Sequence, residues 1–338
     1  MNPDLDTDLA RRALTLVRSS LVWDNHACMP LRPNDPSFMP QLERHRAVGT
    51  NVVMLNVGFG EQGVNDHVRM LASMRDWLAR NSDHFRLIES LADIAAAREA
   101  GQLAVGFDIE GANAISDQVS LLRLYRDLGV RWMLVAYNRN NRAGGGCQDN
   151  DQGLTDFGRR MIDAMDEVGM VLCCTHTGHR TAREAMAYAR GPTIFSHSNS
   201  HALKPHPRNI GDDLIRACAA KGGVVGINGL DLFLNDDKDA SGRAVARHVD
   251  HVAQLVGAKH VGLGLDYVFD QQELADYLAR MKSTFPPDMG YEDGIGMASP
   301  EFIPAVVEDL LKRGYGDDDV EAILGGNWMR IARQVWKS

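Results

Sequence analysis

Short apolar segments alternate with amphipathic, helix-like stretches along the chain, and this alternation predicts a (β/α)8 barrel, an α/β fold. The segments are short and rich in Val, Ile and Leu, as buried strands are. Eight such strands are predicted, at 21–27, 51–57, 103–109, 131–137, 169–175, 192–198, 222–228 and 260–266. The length of 338 residues fits one barrel as a single domain over residues 1–338. A doubly wound sheet competes, but the glycines at 57–63 lack the GxGxxG spacing of dinucleotide-binding turns.

The stretches between these strands repeat apolar residues at helical spacing. Helices are predicted at 66–81, 120–129, 156–169, 211–222 and 246–257, with a further leading helix over residues 1–20. Several begin at Asp or Ser and end at Gly, the residues preferred at helix ends. Residues 267–304 follow the last predicted strand and include the Pro- and Gly-rich run FPPDMGYEDG. We therefore expect a long loop over the active face in this region.

Composition excludes several classes of protein. Thirty-six basic against forty-five acidic residues give a net charge of −9, which lacks the basic footprint of a nucleic-acid-binding protein. The chain has no apolar run long enough for a membrane-spanning helix. The five cysteines are odd in number and lack CxxC spacing, which argues against a disulfide framework or a structural zinc knuckle. Because the first residues also lack the order of a signal peptide, we expect a cytoplasmic protein.

Metal-binding residue types stand at the predicted strand ends. In a (β/α)8 barrel the active site lies where the strands end. Read in order, these positions hold His26 with Cys28, Asn56, Glu110, Tyr137 with Asn138, His176, His197, Asn228 and Asp266. Neutral imidazole and carboxylate form the ligand set of Zn²⁺ and similar divalent metals. A single histidine there would be weak evidence, but several such residues on separate strands predict a metal site.

Two runs of sequence resemble a known family. They are LTDFGRRMIDAMDEVGMVLCCTHTG at 154–178 and PTIFSHSNSHALKPHPRNIGDDLIRACAAKGGVVGIN at 192–228. Both are similar to the renal or membrane dipeptidases, peptidase family M19, which are zinc peptidases of the amidohydrolase superfamily. The resemblance implies a TIM barrel of the metal-dependent amidohydrolase type. It also implies hydrolysis of a dipeptide by a metal-bound hydroxide.

The resemblance assigns the metal ligands position by position. His26 matches the first-strand histidine that binds one zinc, and Glu110 matches the carboxylate that bridges two zincs. His176 and His197 match the two histidines of the second zinc. The cofactor implied is therefore one or two Zn²⁺ ions per chain. A homodimer is also implied, because relatives are often dimeric.

The resemblance also assigns catalytic and substrate-binding residues. Asp266 matches the last-strand aspartate that hydrogen-bonds the metal-bound water and shuttles its proton. Arg208, in the HPRN motif, matches the arginine that holds the substrate's α-carboxylate, for which its planar guanidinium is suited. Tyr137 and the adjacent Asn138 are expected on the substrate side. The implied partner is a small molecule with a free carboxylate, a dipeptide.

Two positions depart from the family pattern. The first strand usually reads HxD, but this chain reads His26–Ala27–Cys28. Either the Cys28 thiolate replaces the aspartate as a zinc ligand, or that metal site is weak and the enzyme works with one zinc. At the fourth strand Tyr137 precedes the asparagine where the family often has a histidine. Its phenol either donates a hydrogen bond to the oxyanion or serves as a packing or substrate-wall residue.

These departures keep other functions open. One alternative is an amidohydrolase that acts on another small amide, an N-acyl amino acid or a lactone, because a fold and a metal site do not determine the substrate. Another is a catalytically inactive relative that serves as a binding protein. Against the latter, an inactive site has no physical need for Glu110, His176, His197, Arg208 and Asp266 together.

Overall fold

The computed structural model describes residues 3–337, and its strands close into a parallel barrel. The strands are β1 (Trp23–Cys28), β2 (Val52–Phe59), β3 (Phe85–Leu87), β4 (Leu103–Glu110), β5 (Val130–Leu134), β6 (Val171–Cys173), β7 (Thr193–Phe195), β8 (Val224–Ile227), β9 (Val261–Leu263) and β10 (Tyr267–Val268). Eight of them form the barrel, in the order β1, β2, β4, β5, β6, β7, β8 and β9, and β1 pairs with β9 to close it. The predicted (β/α)8 TIM barrel is confirmed.

Helices follow the strands and surround the barrel. They are α1 (Pro3–Ser19), α2 (Glu43–Ala47), α3 (Val64–Arg80), α4 (Leu91–Glu99), α5 (Leu121–Asp127), α6 (Asp156–Val168), α7 (His179–Tyr188), α8 (Asp212–Ala220), α9 (Asp231–Leu234), α10 (Gly242–Val256), α11 (Gln271–Arg280), α12 (Ile303–Lys312), α13 (Asp317–Glu321) and α14 (Asn327–Val335). Of the predicted leading helix, residues 1 and 2 lie outside the described residues. Between residues 3 and 337, no helix has the length and apolar character required to cross a bilayer.

The hydrophobic core has two main parts, one between the barrel and its helices and one inside the barrel. Trp328 of α14 packs into the inner part, among side chains from the first residues of the strands. Its indole Nε1 donates a hydrogen bond to the Leu263 carbonyl at 3.0 Å. A Cβ on Gly262 would lie 2.6 Å from this nitrogen, so the glycine makes room for the ring. The opposite end of the barrel, where the strands terminate, holds the polar residues.

The segment 267–304, predicted as a loop, is largely structured. It contains β10, α11 and three-residue 3-10 helices at Pro287–Met289, Tyr291–Asp293 and Pro300–Phe302. The loop prediction was wrong for α11, a ten-residue helix that ends before the Pro- and Gly-rich run begins. Leu274, Tyr277 and Leu278 are spaced at i, i+3 and i+4, which is the signature of an amphipathic helix.

Candidate metal centre

Glu110, the last residue of β4, lies among three histidines. Its Oε1 is 3.2 Å from His197 Nε2, 3.4 Å from His176 Nε2 and 3.8 Å from His26 Nε2. All four side chains are buried. Within residues 3–337 this carboxylate oxygen has no hydrogen-bond partner, which is unusual for a buried oxygen.

Hydrogen bonds at Nδ1 orient two of these rings. His26 Nδ1 lies 3.2 Å from an Asp108 carboxylate oxygen, and His176 Nδ1 lies 2.7 Å from Asn138 Oδ1. Since a carboxylate or amide oxygen only accepts, each Nδ1 carries the proton and donates it. The Nε2 of the neutral His176 ring is then directed at Glu110. Such outer hydrogen bonds are the usual way in which a protein aims histidine ligands at a metal.

Burial determines the protonation states of the cluster. Burial lowers the pKa values of His176 and His197 well below the usual value, with the positive charges of Arg208 and His26 adding to the effect, so both rings are neutral. Burial raises the pKa of Glu110 to about 8. The Nε2 atoms of His176 and His197 are 3.1 Å apart. Two neutral imidazole nitrogens this close together beside a carboxylate oxygen form a donor set that fits a divalent metal.

A second group of ligand-type atoms shares His26. Cys28 Sγ lies 3.5 Å from His26 Nε2 and 3.7 Å from Asp266 Oδ1, and Asp266 Oδ1 lies 3.4 Å from His26 Nε2. Burial raises the pKa of the Cys28 thiol to about 12, so the thiol is protonated unless a metal displaces the proton. The His26–Cys28–Asp266 and His26–Glu110–His197 groups each bring one ligand atom per residue within 4.8 Å of the others. The arrangement therefore offers two adjoining positions for a metal.

Backbone strain is concentrated at this centre. Five non-glycine residues of the described chain have positive φ, and three of them are Asn138, His176 and Asp266, at 54°, 61° and 60°. Residues other than glycine rarely adopt this left-handed conformation, and it costs about 1–3 kcal/mol each. In each case the residue lies just beyond a strand, where the turn of the backbone presents the side chain to the site.

Asn138 has a different place from the one predicted. The sequence prediction puts it against the substrate, but its side chain is fully buried and both of its polar atoms are engaged. Its Oδ1 accepts from His176, and its Nδ2 donates to the Thr284 carbonyl at 3.2 Å. We therefore assign Asn138 to the orientation of His176 rather than to substrate contact.

Tyr137 and Arg208 line the cavity beside the cluster. The Tyr137 ring stacks on His176 with centroids 4.0 Å apart. Arg208 is buried, and its guanidinium lies 5.2 Å from the centre of the Phe233 ring. Its Nη1 has no hydrogen-bond partner among the described residues. A buried guanidinium with a free donor at a cavity is a binding group for an anion such as a carboxylate.

Three further polar residues support this site. Asp108 lies two residues before Glu110 on β4, and Asn56 Nδ2 donates to its carboxylate at 3.1 Å. Asn228, after β8, donates to Asp266 Oδ2 at 2.7 Å. Their positions at strand ends are visible in the sequence, because residues i and i+2 of a strand share a face. Their hydrogen-bond partners lie on other strands and are not visible there.

The cavity above the cluster is mostly apolar and extends to the segment after β10. The polar groups Cys28, Asn56, Glu110, His176, Arg208 and Asp266 lie at one side. Aromatic and aliphatic side chains form the rest, among them Phe59, Phe233, Leu278 and Phe285. A mostly apolar cavity with a few convergent polar groups is the usual form of a small-molecule site.

Comparison with known proteins identifies the family of the chain. The membrane dipeptidase family, peptidase family M19, matches residues 37–279. The chain belongs to this family. A dipeptidase of Aspergillus terreus is 28% identical over 282 residues, which cover 76% of this chain and 64% of that protein. The chain therefore spans slightly less than two thirds of this relative.

Two further proteins match the chain over most of its length and most of their own. An uncharacterized protein from the pqqA 5′ region of Klebsiella pneumoniae is 30% identical over 280 residues, covering 80% of this chain and 96% of that protein. The crystal structure of an amidohydrolase from Pseudomonas aeruginosa superimposes with a TM-score of 0.87 at 27% identity. That match covers 96% of this chain and 99% of the other.

Proposed function

We propose that the chain is a zinc-dependent dipeptidase that hydrolyses the amide bond of a dipeptide with a free C-terminal carboxylate. The observation that carries this proposal is one cavity with two complementary binding groups. Glu110 Oε1 lies among three histidines and Arg208 Nη1 lies at the same cavity, and neither atom has a hydrogen-bond partner among the described residues. Membership of the membrane dipeptidase family supports the same conclusion.

Zn²⁺ suits this donor set, because it combines readily with imidazole, carboxylate and thiolate. We assign Glu110, His176 and His197 to one metal position and His26 and Cys28 to the other, with Glu110 between them. Bound there, the metal would lower the pKa of its water and polarise the scissile carbonyl. The remaining steps fall to the protein's own side chains.

Arg208, Asp266 and Tyr137 carry out these steps. Arg208 pairs with the substrate carboxylate and sets the position of the amide. Asp266, held by Asn228, accepts a proton during attack and returns it to the leaving amine. Burial raises the pKa of Tyr137 well above its usual value, with Glu110 and Asp266 adding to the effect, so its phenol stays protonated. Tyr137 can therefore donate a hydrogen bond to the developing oxyanion.

Hydrolysis of dipeptides by the zinc-loaded protein tests the proposal directly. We expect turnover of unmodified dipeptides, its loss on removal of zinc by a chelator, and its return when zinc is added. Asp266→Asn should retain zinc but lower kcat by about 10²–10⁴-fold, because the proton acceptor is lost. The exposed Asp117→Asn is the matched control and should behave as wild type. Turnover of N-acyl amino acids or lactones with no activity on dipeptides would overturn the dipeptidase assignment.

Cobalt substitution tests the role of Cys28. A cobalt(II)–thiolate bond produces an intense charge-transfer band in the near ultraviolet, and we expect this band from the cobalt-loaded protein. Cys28→Ser should abolish it, whereas Cys218→Ser, a change of a buried cysteine on α8, should leave it intact. A single bound equivalent of cobalt without the band would instead support the one-metal alternative.

A further inference from the structure

Helix α11 has an apolar face that the rest of the chain covers incompletely. Leu274, Tyr277 and Leu278 lie on the face turned to the cavity, and each is only half-buried. The neighbouring residues Ala275 and Ala279 are exposed. None of the ten residues of α11 is fully buried. A helix usually buries such an apolar stripe, so α11 leaves apolar surface available on the cavity side.

An aromatic wall connects this helix to the metal centre. The Tyr277 and Phe59 rings meet edge to face at 5.3 Å, and Phe59 lies 5.0 Å from Tyr137. Tyr137 in turn stacks on His176 at 4.0 Å. Phe285 closes the same group, 6.2 Å from Tyr137. The apolar face of α11 and the candidate metal centre are therefore two sides of one cavity.

Most charged groups of this cavity lie away from α11. Glu110, Asp266 and Arg208 lie beside the metal centre. Of the four α11 residues that line the cavity, only Glu273 is charged, and Arg32 Nη1, which donates to Asp270 at 2.9 Å, lies 3.8 Å from its carboxylate. Leu274 and Leu278 stand on the same face. A polar substrate side chain placed here would lose its hydrogen bonds to water without gaining others, which is unfavourable.

We propose that α11 and the aromatic wall form a subsite for a large apolar side chain, so that the preferred substrates are dipeptides with a bulky aliphatic or aromatic residue. The inference rests on the proposed dipeptidase function and specifies its substrate class. The occupant is the substrate itself, because the apolar face is continuous with the site that holds Glu110 and Arg208. The substrate side chain completes the burial of Leu274, Tyr277 and Leu278.

Steady-state kinetics on a series of dipeptides tests the subsite. We expect kcat/KM for Leu-Leu to exceed that for Gly-Gly by at least about tenfold, since a few methylene groups in an apolar pocket contribute this much or more. In Leu278→Ser this ratio should fall severalfold, because Leu-Leu loses apolar contacts that Gly-Gly does not make. Leu124→Ser, the same change at an exposed leucine of α5, is the matched control and should leave the ratio unchanged.

The possible results separate the two proposals. Absence of hydrolysis of every dipeptide would overturn the proposed function. Hydrolysis with equal kcat/KM for Gly-Gly and Leu-Leu would overturn only the subsite. If Leu278→Ser were to misfold, Leu274→Ser on the same face provides the same measurement, and an unchanged ratio in the folded variant also counts against the subsite.

Discussion

Asn138 connects backbone strain to ligand geometry at the candidate metal centre. Its left-handed backbone and its hydrogen bond to His176 occur in the same residue, directly after the strand-like segment that ends at Tyr137. Asn tolerates this conformation better than most residues, and its side-chain oxygen is a good acceptor. These two properties explain why an asparagine follows Tyr137, although the Asn138 side chain does not face the cavity.

A glycine at position 138 removes the hydrogen bond to His176 but still adopts the left-handed backbone conformation. Asn138→Gly removes the acceptor of the His176 proton, while glycine adopts positive φ without cost. We expect zinc affinity to fall about 10–100-fold, as is typical when an outer hydrogen bond to a ligand is lost. Competition with a chromogenic chelator measures this. Asn150→Gly, at an exposed loop position, is the control. Wild-type affinity in a folded Asn138→Gly protein would contradict the orienting role.

At this scale the sequence predicts residue types better than contacts. The strand ends at Glu110 and Asp266 could be located because polar residues terminate apolar runs. The pairing of Asp108 with His26 could not, since it depends on the stagger between strands 82 residues apart in the chain. The direction of the Asn138 side chain could not be predicted either, because it depends on the positive φ of the residue.

At the scale of elements, the packing of α14 against the barrel strands depends on glycine at position 262. An alanine there would place its Cβ 2.6 Å from Trp328 Nε1, closer than packed atoms approach. We expect Gly262→Ala to lower the free energy of unfolding by about 1–3 kcal/mol through overpacking. Chemical denaturation of Gly191→Ala provides the control, because a Cβ at Gly191 meets nothing within 4 Å. Equal stability of the two variants would contradict this account of the inner core.

Elements differ in how far the sequence predicts them. The eight barrel strands are visible as apolar runs, and helices such as α6 and α10 are strongly amphipathic and end at glycine. Strand β3, with three residues, is too short to distinguish from a loop. Helix α11 carries a usable signal in Leu274, Tyr277 and Leu278, but its stripe lies over a cavity and not over the core. Its function therefore could not be predicted from its pattern.

Across the whole molecule, an ion pair joins α2 to the 3-10 helix Pro300–Phe302 before α12. Arg44 donates to both carboxylate oxygens of Glu301, at 2.7 and 2.9 Å, and also to the Tyr267 hydroxyl at 2.6 Å. Burial raises the pKa of Glu301, but hydrogen bonds from Arg44 and Ser299 outweigh it and lower the pKa from 4.5 to about 2. Because the Glu301 side chain is 41% exposed, solvent weakens the pair to below about 1 kcal/mol.

This lowered pKa predicts a pH-dependent contribution to stability. Glu301→Gln should unfold more easily than wild type at pH 7, because the charged form is favoured in the folded state. The difference should be complete above the unfolded value of 4.5 and shrink as the pH falls from there towards 2. Denaturation of both proteins between pH 7 and pH 3 measures it. Glu61→Gln, at an exposed residue after β2, controls for the lost charge. A difference that grows on acidification would contradict the assignment.

Closure of the barrel between β1 and β9 has a consequence for folding kinetics. His26 lies in β1, the first strand of the barrel, and Asp266 lies just beyond β9, the last. The Asp266 amide donates to the His26 carbonyl at 2.9 Å only once these two strands have paired. Such contacts between distant parts of the chain form slowly. Under the proposed assignment, the ligands His26, Cys28 and Glu110 lie on β1 and β4, whereas the proton acceptor Asp266 follows β9 and reaches the site only when the barrel closes. Hydrolytic activity, rather than metal uptake, would therefore report on completion of the barrel.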